Sequence, residues 1–156
     1  MRTKRIMVIG AGGSGKTTLA HALNGDHSPV KRTPCLVYGA RTIDAPAAYL
    51  ESPWMVQHLI AEAQNASYVL MLVDQTKTRE VYSPGFALAF RAPVIGVITK
   101  AGKSREQLER CEKELLKAGV QPPFYRVVFP SGEGLDELAR RLNSHYNSGG
   151  SRRGLN

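Results

Sequence analysis

Cysteine is scarce in this 156-residue chain, which contains only Cys35 and Cys111. The two lie far apart, and neither belongs to a Cys-x-x-Cys pair or to a Cys/His cluster with metal-ligand spacing. This pattern excludes a disulfide framework and a structural zinc site. Two isolated cysteines are typical of a reducing compartment, so the scarcity indicates a cytoplasmic protein.

Long hydrophobic runs are absent as well. No stretch approaches the ~18 apolar residues that a membrane span needs, and the apolar run at residues 6–9 is too short for a signal peptide. We therefore expect a soluble protein with no membrane partner. Its length, with 42% hydrophobic and 22% charged residues, is typical of one folded domain. The expected division is a single domain over residues 1–146 and a disordered basic tail, rich in Gly and Ser, over residues 147–156.

Acidic residues are fewer than basic ones: the chain has 13 Asp and Glu and 21 Lys and Arg, which gives a formal net charge of +8. Such a surplus can indicate nucleic acid, an acidic partner or phosphate ligands. Nucleic acid is disfavoured, since the basic residues are not interleaved with aromatic ones and no recognition motif occurs. Six basic residues and one acidic residue fall within the first forty positions, around the glycine-rich segment considered below. A phosphate ligand therefore accounts best for the charge.

Short apolar runs alternate with segments of helical periodicity along the chain. The predicted strands are 6–9, 35–38, 41–43, 68–73, 93–98 and 125–129. The predicted helices are 16–23, 53–64, 104–117 and 134–146. The second and third strands flank Gly39 and are expected to form a hairpin or a bent edge of the sheet. The alternation predicts an α/β fold of three layers, in which a mostly parallel sheet carries helices on both faces.

Three side chains on the predicted helices can be interpreted from their residue types. Trp54, like Met55 beside it, lies at the start of a predicted helix and is interpreted as core packing. Cys111 lies among charged residues and is expected to be half exposed. No His and carboxylate partner for a nucleophilic thiol can be identified, so no catalytic cysteine is predicted.

Residues 10–17 read Gly-Ala-Gly-Gly-Ser-Gly-Lys-Thr and match the phosphate-binding pattern G-x-x-x-x-G-K-[ST] in full. The segment also lies where that pattern must lie, directly after a buried strand and at the start of a helix. Glycines allow the backbone amides to approach phosphate oxygens, and the helix adds the positive end of its dipole. The predicted nucleotide-binding residues of this P-loop are Gly10, Gly12, Gly13, Ser14, Gly15, Lys16, Thr17 and Thr18.

Three of these side chains have separate predicted tasks. Lys16, the predicted catalytic residue, places its ammonium between the β- and γ-phosphates, Thr17 binds Mg²⁺ through its hydroxyl, and Thr18 lies near the α-phosphate. The expected cofactors are therefore Mg²⁺ and either ATP or GTP. A carboxylate at a strand end must also hold the water shell of Mg²⁺, and both Asp44 and Asp74 follow apolar runs.

The order of strand, P-loop, helix, loop with a Thr, and strand ending in Asp-x-Pro resembles the Ras-like GTPases. In that class a loop Thr and an Asp-x-x-Gly turn sense the γ-phosphate. The resemblance implies that Thr33 is the loop Thr, which also binds the metal, and that Asp44 rather than Asp74 is the metal carboxylate.

A narrower resemblance rests on residues 44–49 (Asp-Ala-Pro-Ala-Ala-Tyr), which are followed by Pro53 and a helix. Together with the P-loop, this segment resembles the EutP/PduV family of small P-loop proteins from bacterial ethanolamine and propanediol utilisation. Members of that family are associated with bacterial microcompartments, and an acetate kinase activity has been attributed to the ethanolamine branch. The resemblance therefore implies a microcompartment component as protein partner and a location at a microcompartment within the cytoplasm.

The chain departs from the Ras-like pattern where a GTPase would orient the attacking water. Ala47 replaces the Gly of Asp-x-x-Gly, and Ala48 stands where many GTPases carry a Gln. Neither side chain can orient a water molecule, so slow intrinsic hydrolysis is expected unless a partner supplies the missing group.

The base-reading motif is altered too. Residues 99–102 (Thr-Lys-Ala-Gly) stand in place of the Asn/Thr-Lys-x-Asp motif, with Gly102 where the guanine-reading Asp should be. Thr99 and Lys100 stay candidate nucleotide contacts, as does Ser131 in the loop before the last helix. Without the carboxylate, discrimination between guanine and adenine is weakened, and the preference between GTP and ATP stays open.

Three functions of different class are compatible with these residues. The first is a slow NTPase that acts as a switch or targeting module through a protein partner. The second is a phosphotransferase, resembling an acetate kinase, that delivers the γ-phosphate to a small carboxylate. The third is a catalytically inactive P-loop scaffold whose basic surface binds an acidic partner.

Overall fold

The computed structural model describes residues 4–11, 13–25, 36–39, 41–76, 81–100 and 104–143. Within these ranges one sheet contains β1 (Ile6–Ile9), β2 (Val37–Tyr38), β3 (Thr42–Asp44), β4 (Tyr68–Asp74), β5 (Val94–Thr99) and β6 (Tyr125–Val127). The strand order across the sheet is β2-β3-β1-β4-β5-β6. Neighbouring strands are parallel, except that β2 is antiparallel to β3. Of the two arrangements predicted about Gly39, the structure shows the hairpin, because β2 and β3 pair antiparallel. Cys35 and the predicted tail lie outside the described residues.

Helices cover both faces of this sheet. They are α1 (Lys16–Asn24), α2 (Pro53–Ala63), α3 (Arg105–Lys117) and α4 at residues 135–143, where the described part of the chain ends. The apolar residues of α1 and α4 share one core with one face of the sheet, and those of α2 and α3 share a second core with the other face. The predicted three-layer α/β fold is confirmed. Among the described residues, no helix has the length and apolar character that crossing a bilayer requires.

The helix ends follow from local chemistry. Gly25 ends α1 in the left-handed region, with φ at 69°, and its amide donates to the carbonyls of the preceding turn. Pro53 occupies the first turn of α2, where a missing amide hydrogen costs nothing. The Ser104 hydroxyl accepts a hydrogen bond from the Gln107 amide at 3.4 Å at the start of α3. The predicted helix boundaries that fall within the described residues agree with the structure to within one residue, whereas the predicted end of the last helix at 146 lies outside those residues.

Parallel pairing brings four strand ends to one edge of the sheet. The residue pairs Val8 and Asp44, Ile9 and Met71, and Asp74 and Thr99 are in register across the paired strands. The P-loop leaves β1 at this edge, and three of the candidate polar residues end β3, β4 and β5. Ligands of open α/β sheets bind at this kind of edge, outside the carboxyl ends of the strands.

The connection from β4 to β5 corrects the expectation that strand and helix alternate throughout. In the described residues 75–76 and 81–93 the only regular element is a short 3-10 turn, Phe86–Ala89. Gly85, with φ at 74°, starts this turn, and the amides of Gly85 and Ala87 donate to carbonyls at the end of α3 at 2.9 and 2.8 Å. The backbone amides at the start of this turn are thus hydrogen-bonded to carbonyls at the end of α3.

Two side-chain predictions are wrong. Trp54 is 72% exposed, because it lies in the first turn of α2, whereas the face that reaches the core begins a turn later at Leu59. Cys111 is 1% exposed, because it shares a face of α3 with Leu115 and packs against the sheet. Burial raises the pKa of the Cys111 thiol to about 11, so the group is an inert part of the core.

The glycines before α4 provide a test of this packing. Gly134→Ala is expected to destabilise the fold by about 1–2 kcal/mol more than Gly132→Ala. Both glycines have positive φ, 86° and 80°, so backbone strain is common to the two variants. A Cβ at position 134 would also collide with the backbone carbonyl of Arg126, whereas nothing lies within 4 Å of one at position 132. Urea unfolding measures the difference, and equal stabilities would contradict this packing.

Candidate functional site

The P-loop backbone depends on glycine for two reasons. Gly13 and Gly15 have φ at 76° and 94°, a region that favours glycine. A Cβ at Gly10 would lie 2.7 Å from the Ser14 hydroxyl oxygen and 3.1 Å from Cβ of Leu72. Gly12 lies outside the described residues. Since α1 begins without a side-chain cap and without an acidic residue in its first turn, its positive end is available to an anion.

Lys16 and Ser14 lie buried within this loop, 8% and 1% exposed. The Lys16 ammonium donates to the carbonyl oxygen of Ala11 at 3.1 Å, so it bends back across the loop. The Ser14 hydroxyl oxygen has no hydrogen-bond partner among the described residues. A buried cation and an unsatisfied hydroxyl inside a glycine-rich loop suit a polyanionic ligand that would bind there.

Thr17 and Asp44 meet across the site. The Thr17 hydroxyl donates to Asp44 Oδ2 at 2.6 Å, because α1 begins at the edge of the sheet where β3 ends. Asp44 is 7% exposed. Burial raises the pKa of its carboxyl, and the Thr17 hydrogen bond, Lys16 and His21 oppose that rise.

This donor set suits Mg²⁺, which takes oxygen ligands and is commonly held by one or two carboxylates, a hydroxyl, waters and substrate phosphates. No group of three or more His, Cys, Asp or Glu side chains that could form an all-protein metal cage occurs in the part of the chain that the structure describes. A hydroxyl and one carboxylate therefore fit a metal that is shared with a nucleotide.

Asp74, the alternative carboxylate, has other partners. Its Oδ1 accepts hydrogen bonds from the Thr76 amide at 2.8 Å and the Thr76 hydroxyl at 2.6 Å, and its Oδ2 lies 3.2 Å from the Lys100 ammonium. Burial raises the pKa of Asp74, but the Thr76 hydrogen bonds and Lys100 outweigh that effect and hold the pKa below its ordinary value. The geometry thus brings Asp44, not Asp74, to the P-loop threonine.

Two of the three predicted base-contacting residues, Thr99 and Lys100, bind the P-loop itself. The Thr99 hydroxyl donates to the Ser14 carbonyl oxygen at 2.6 Å, and the Lys100 ammonium donates to the Gly13 carbonyl oxygen. Ser131 lies in an exposed turn, where its hydroxyl donates to the Val128 carbonyl at 3.2 Å. Whether these three also contact a base stays a prediction.

Thr18 is the remaining predicted site residue that the structure describes. Thr18 is half-buried in α1 beside Thr17, and no polar contact assigns it a ligand. Thr33 and Gly102 lie outside the described residues. Their predicted roles therefore stay predictions from the sequence.

Tyr82 is a residue of this region that sequence reasoning missed. It is 6% exposed, and its hydroxyl donates to the Leu72 carbonyl at 2.7 Å and reaches the Ile9 carbonyl, just before the P-loop, at 3.4 Å. Burial raises the pKa of this phenol far above its ordinary value, so it stays a neutral donor. No local signal could have identified it, because Ile9 lies 73 positions earlier in the chain.

The fold described above can be compared with solved structures of other proteins. Solved structures of similar fold include a probable GTP-binding protein, EngB, with a TM-score of 0.64, 16% identity and coverage of 90% of this chain and 97% of that one. Era from Aquifex aeolicus bound to GDP and AlF4⁻ has a TM-score of 0.61 and 19% identity, over 91% of this chain and 56% of that one. The protein therefore has the same α/β fold as these two proteins.

Sequence relatives identify the family. The model of the PduV-EutP family, described as ethanolamine utilisation and propanediol utilisation, matches residues 3–144. Propanediol utilization protein PduV from Citrobacter freundii is 33% identical over 146 residues, 93% of this chain and 97% of that protein. Probable acetate kinase EutP from Escherichia coli (strain K12) is 27% identical over 144 residues, 90% of each chain. The chain belongs to the PduV-EutP family, as residues 44–49 and the P-loop predicted.

Proposed function

We propose that this protein binds ATP or GTP with Mg²⁺ at its P-loop and acts as a slow NTPase switch or targeting module. It would serve ethanolamine or propanediol utilisation in the cytoplasm, through a protein component of a bacterial microcompartment. The observation that supports the proposal is the 2.6 Å hydrogen bond from Thr17 to Asp44. It brings together the hydroxyl and the carboxylate that would serve as oxygen ligands of a nucleotide-bound Mg²⁺.

The loop residues divide the work of binding among them. Backbone amides of the glycine-rich segment and the start of α1 receive phosphate oxygens, and Lys16 leaves the Ala11 carbonyl to pair with phosphate. Thr17 and Asp44 would hold Mg²⁺, and Thr33 is the further metal contact that the Ras-like resemblance implies. When bound, the metal neutralises charge on the phosphates.

Slow hydrolysis is supported by the turn that follows Asp44. Ala45 is buried, and the residues after Pro46 form a 3-10 turn, Ala47–Leu50. Methyl side chains at positions 45, 47 and 48 offer no donor or acceptor to an attacking water. A group from a partner would therefore have to orient the water, as P-loop GTPases receive catalytic groups from activating proteins.

A second candidate is transfer of the γ-phosphate to a small carboxylate. It is favoured by the relative from Escherichia coli that is named probable acetate kinase EutP, at 27% identity. The same absence of a water-orienting side chain at positions 47 and 48 would protect the γ-phosphate from hydrolysis while an acceptor carboxylate binds.

Titration of the purified protein with fluorescent ATP and GTP, in Mg²⁺ and in EDTA, tests the proposal. We expect saturable binding that Mg²⁺ strengthens, and slow nucleoside diphosphate release that does not require acetate. Diphosphate release that appears only with acetate, together with acetyl phosphate formation, would favour the phosphotransferase. No binding of either nucleotide would contradict both and leave the inactive scaffold.

Base preference can be changed at one position. Gly102→Asp is expected to shift the ratio of GTP to ATP affinity toward GTP by at least about tenfold, because a carboxylate there can accept the two guanine N–H donors. Gly102→Asn, which has nearly the same size and no charge, is the matched control. Competition of ATP and GTP for the labelled nucleotide measures the ratio, and an unchanged ratio would mean that residues 99–102 do not contact the base.

A further inference from the structure

We infer that Asp74 is a positioning residue of the nucleotide site, which holds Lys100 on the carbonyl of Gly13 and so sets the shape of the P-loop. The inference rests on the proposed nucleotide binding for its functional consequence. It assigns to the second strand-end aspartate a task other than metal binding.

Asp74 is oriented from two sides. Asp74 ends β4 and is in register with Thr99, which ends the adjacent strand β5. Lys100, the residue after Thr99, therefore lies beside Asp74. The amide and hydroxyl of Thr76 both donate to Oδ1, which leaves Oδ2 facing the Lys100 ammonium at 3.2 Å. The Asp74 side chain is 2% exposed and that of Lys100 47% exposed, so a fixed buried carboxylate holds a lysine that water would otherwise surround.

Lys100 in turn holds the P-loop. Its ammonium donates to the Gly13 carbonyl, and the Thr99 hydroxyl donates to the next carbonyl, that of Ser14, at 2.6 Å. The carbonyl and amide of one trans peptide point in opposite directions, so a held Gly13 carbonyl also directs the Ser14 amide. That amide donates to the Ala11 carbonyl at 3.1 Å, the same oxygen that receives the Lys16 ammonium at 3.1 Å.

A contact path thus runs from Asp74 through Lys100 and the Gly13 peptide to the carbonyl on which Lys16 rests. A long lysine side chain has many rotamers, and ordering it on a backbone carbonyl is unfavourable without a fixed counter-charge. Asp74 supplies that charge. Removing it is expected to free Lys100 to solvent and to loosen the loop that must close around the phosphates.

The test is a double-mutant cycle on the affinity for Mg²⁺-nucleotide. Asp74→Asn and Lys100→Met are each expected to weaken binding by about tenfold, the usual scale for one charge-assisted contact. The double variant should bind no more weakly than Lys100→Met alone, because Asp74 acts only through Lys100. Lys100→Arg should keep the affinity within about threefold, since a guanidinium can bind both partners.

Asp136→Asn is the matched control, because it removes one carboxylate charge at an exposed position of α4; its affinity should stay within about twofold of the wild type. Additive losses in the double variant, or wild-type affinity in Asp74→Asn, would overturn the inference. If Asp74→Asn does not fold, the Lys100→Met and Lys100→Arg pair decides: equal affinities for the two would also overturn it.

A second readout does not depend on nucleotide. In the ligand-free protein, the Ser14 amide resonance should shift in the same direction in Asp74→Asn and in Lys100→Met and stay in place in Asp136→Asn. A wild type that binds no nucleotide would contradict the proposed function alone. An unmoved Ser14 resonance in Asp74→Asn would contradict the positioning role alone.

Discussion

Replacing Lys16 with Met is expected to weaken binding of both Mg²⁺-ATP and Mg²⁺-GTP by about 100-fold. The ammonium is the one P-loop side-chain cation and is buried beside the Ala11 carbonyl. A charge-assisted contact with phosphate contributes about 2–3 kcal/mol, and each 1.4 kcal/mol changes affinity by about tenfold. Met keeps most of the aliphatic part of the side chain, so the packing of the loop is retained. The loss of affinity then measures the contribution of the positive charge.

Equilibrium titration with labelled nucleotide, alongside thermal unfolding of the ligand-free protein, measures this effect. Lys113→Met, on the exposed face of α3, is the control for loss of one positive charge and should bind as the wild type does. If Lys16→Met binds nucleotide as tightly as the wild type does, the nucleotide binds elsewhere on the protein and the proposed P-loop site is wrong.

Asp44→Asn is expected to remove most of the dependence of nucleotide binding on Mg²⁺. The carboxylate that meets the Thr17 hydroxyl at 2.6 Å loses its charge, while the P-loop contacts to phosphate remain. We expect the ratio of affinities in Mg²⁺ and in EDTA to fall to within about threefold of one. Asp74→Asn is the discriminating comparison, because it should weaken binding in both solutions and leave that ratio unchanged. The reverse result would make Asp74 the metal carboxylate.

The same substitution should raise the stability of the metal-free protein. Burial raises the pKa of Asp44 above its unfolded value, so the folded state favours the protonated carboxyl. The contribution of the group to stability is then complete at pH below the unfolded pKa and is lost as pH rises through the folded pKa. Near neutral pH the variant should therefore melt above the wild type in EDTA, with the difference narrowing toward acid. A lower melting temperature would contradict this assignment.

Local patterns predicted most of the secondary structure because the signals are short-range. The helix after the P-loop, the proline that opens α2 and the Ser104 cap of α3 are each encoded within a few neighbouring residues. The β4 run is apolar throughout because both of its faces are covered, and such a run is visible without any knowledge of its neighbours. These features needed no tertiary information.

Side-chain placement was less predictable where it depended on the angle at which a helix packs. Trp54 and Cys111 were assigned by residue type and by the charge of their neighbours, and both assignments were wrong. Exposure is decided by which stripe of α2 or α3 meets the sheet, and about half a turn of rotation about the helix axis separates a buried from an exposed position. In the described part of the connection between β4 and β5, the amides of Gly85 and Ala87 donate to carbonyls at the end of α3, and no local sequence signal indicates such contacts.

The sequence by itself determined that this protein carries the P-loop motif, and from it predicted a phosphate-binding loop and a place among small P-loop proteins, because eight contiguous residues between a strand and a helix carry that information. Only the tertiary structure decided which partner each of the two strand-end aspartates contacts. Asp44 and Asp74 follow similar apolar runs, so from the sequence alone each is a candidate metal ligand. The strand order places β3 and α1 so that Asp44 meets Thr17, and it places β4 beside β5 so that Asp74 meets Lys100. Contacts between residues so far apart in the chain exist only once the sheet is assembled.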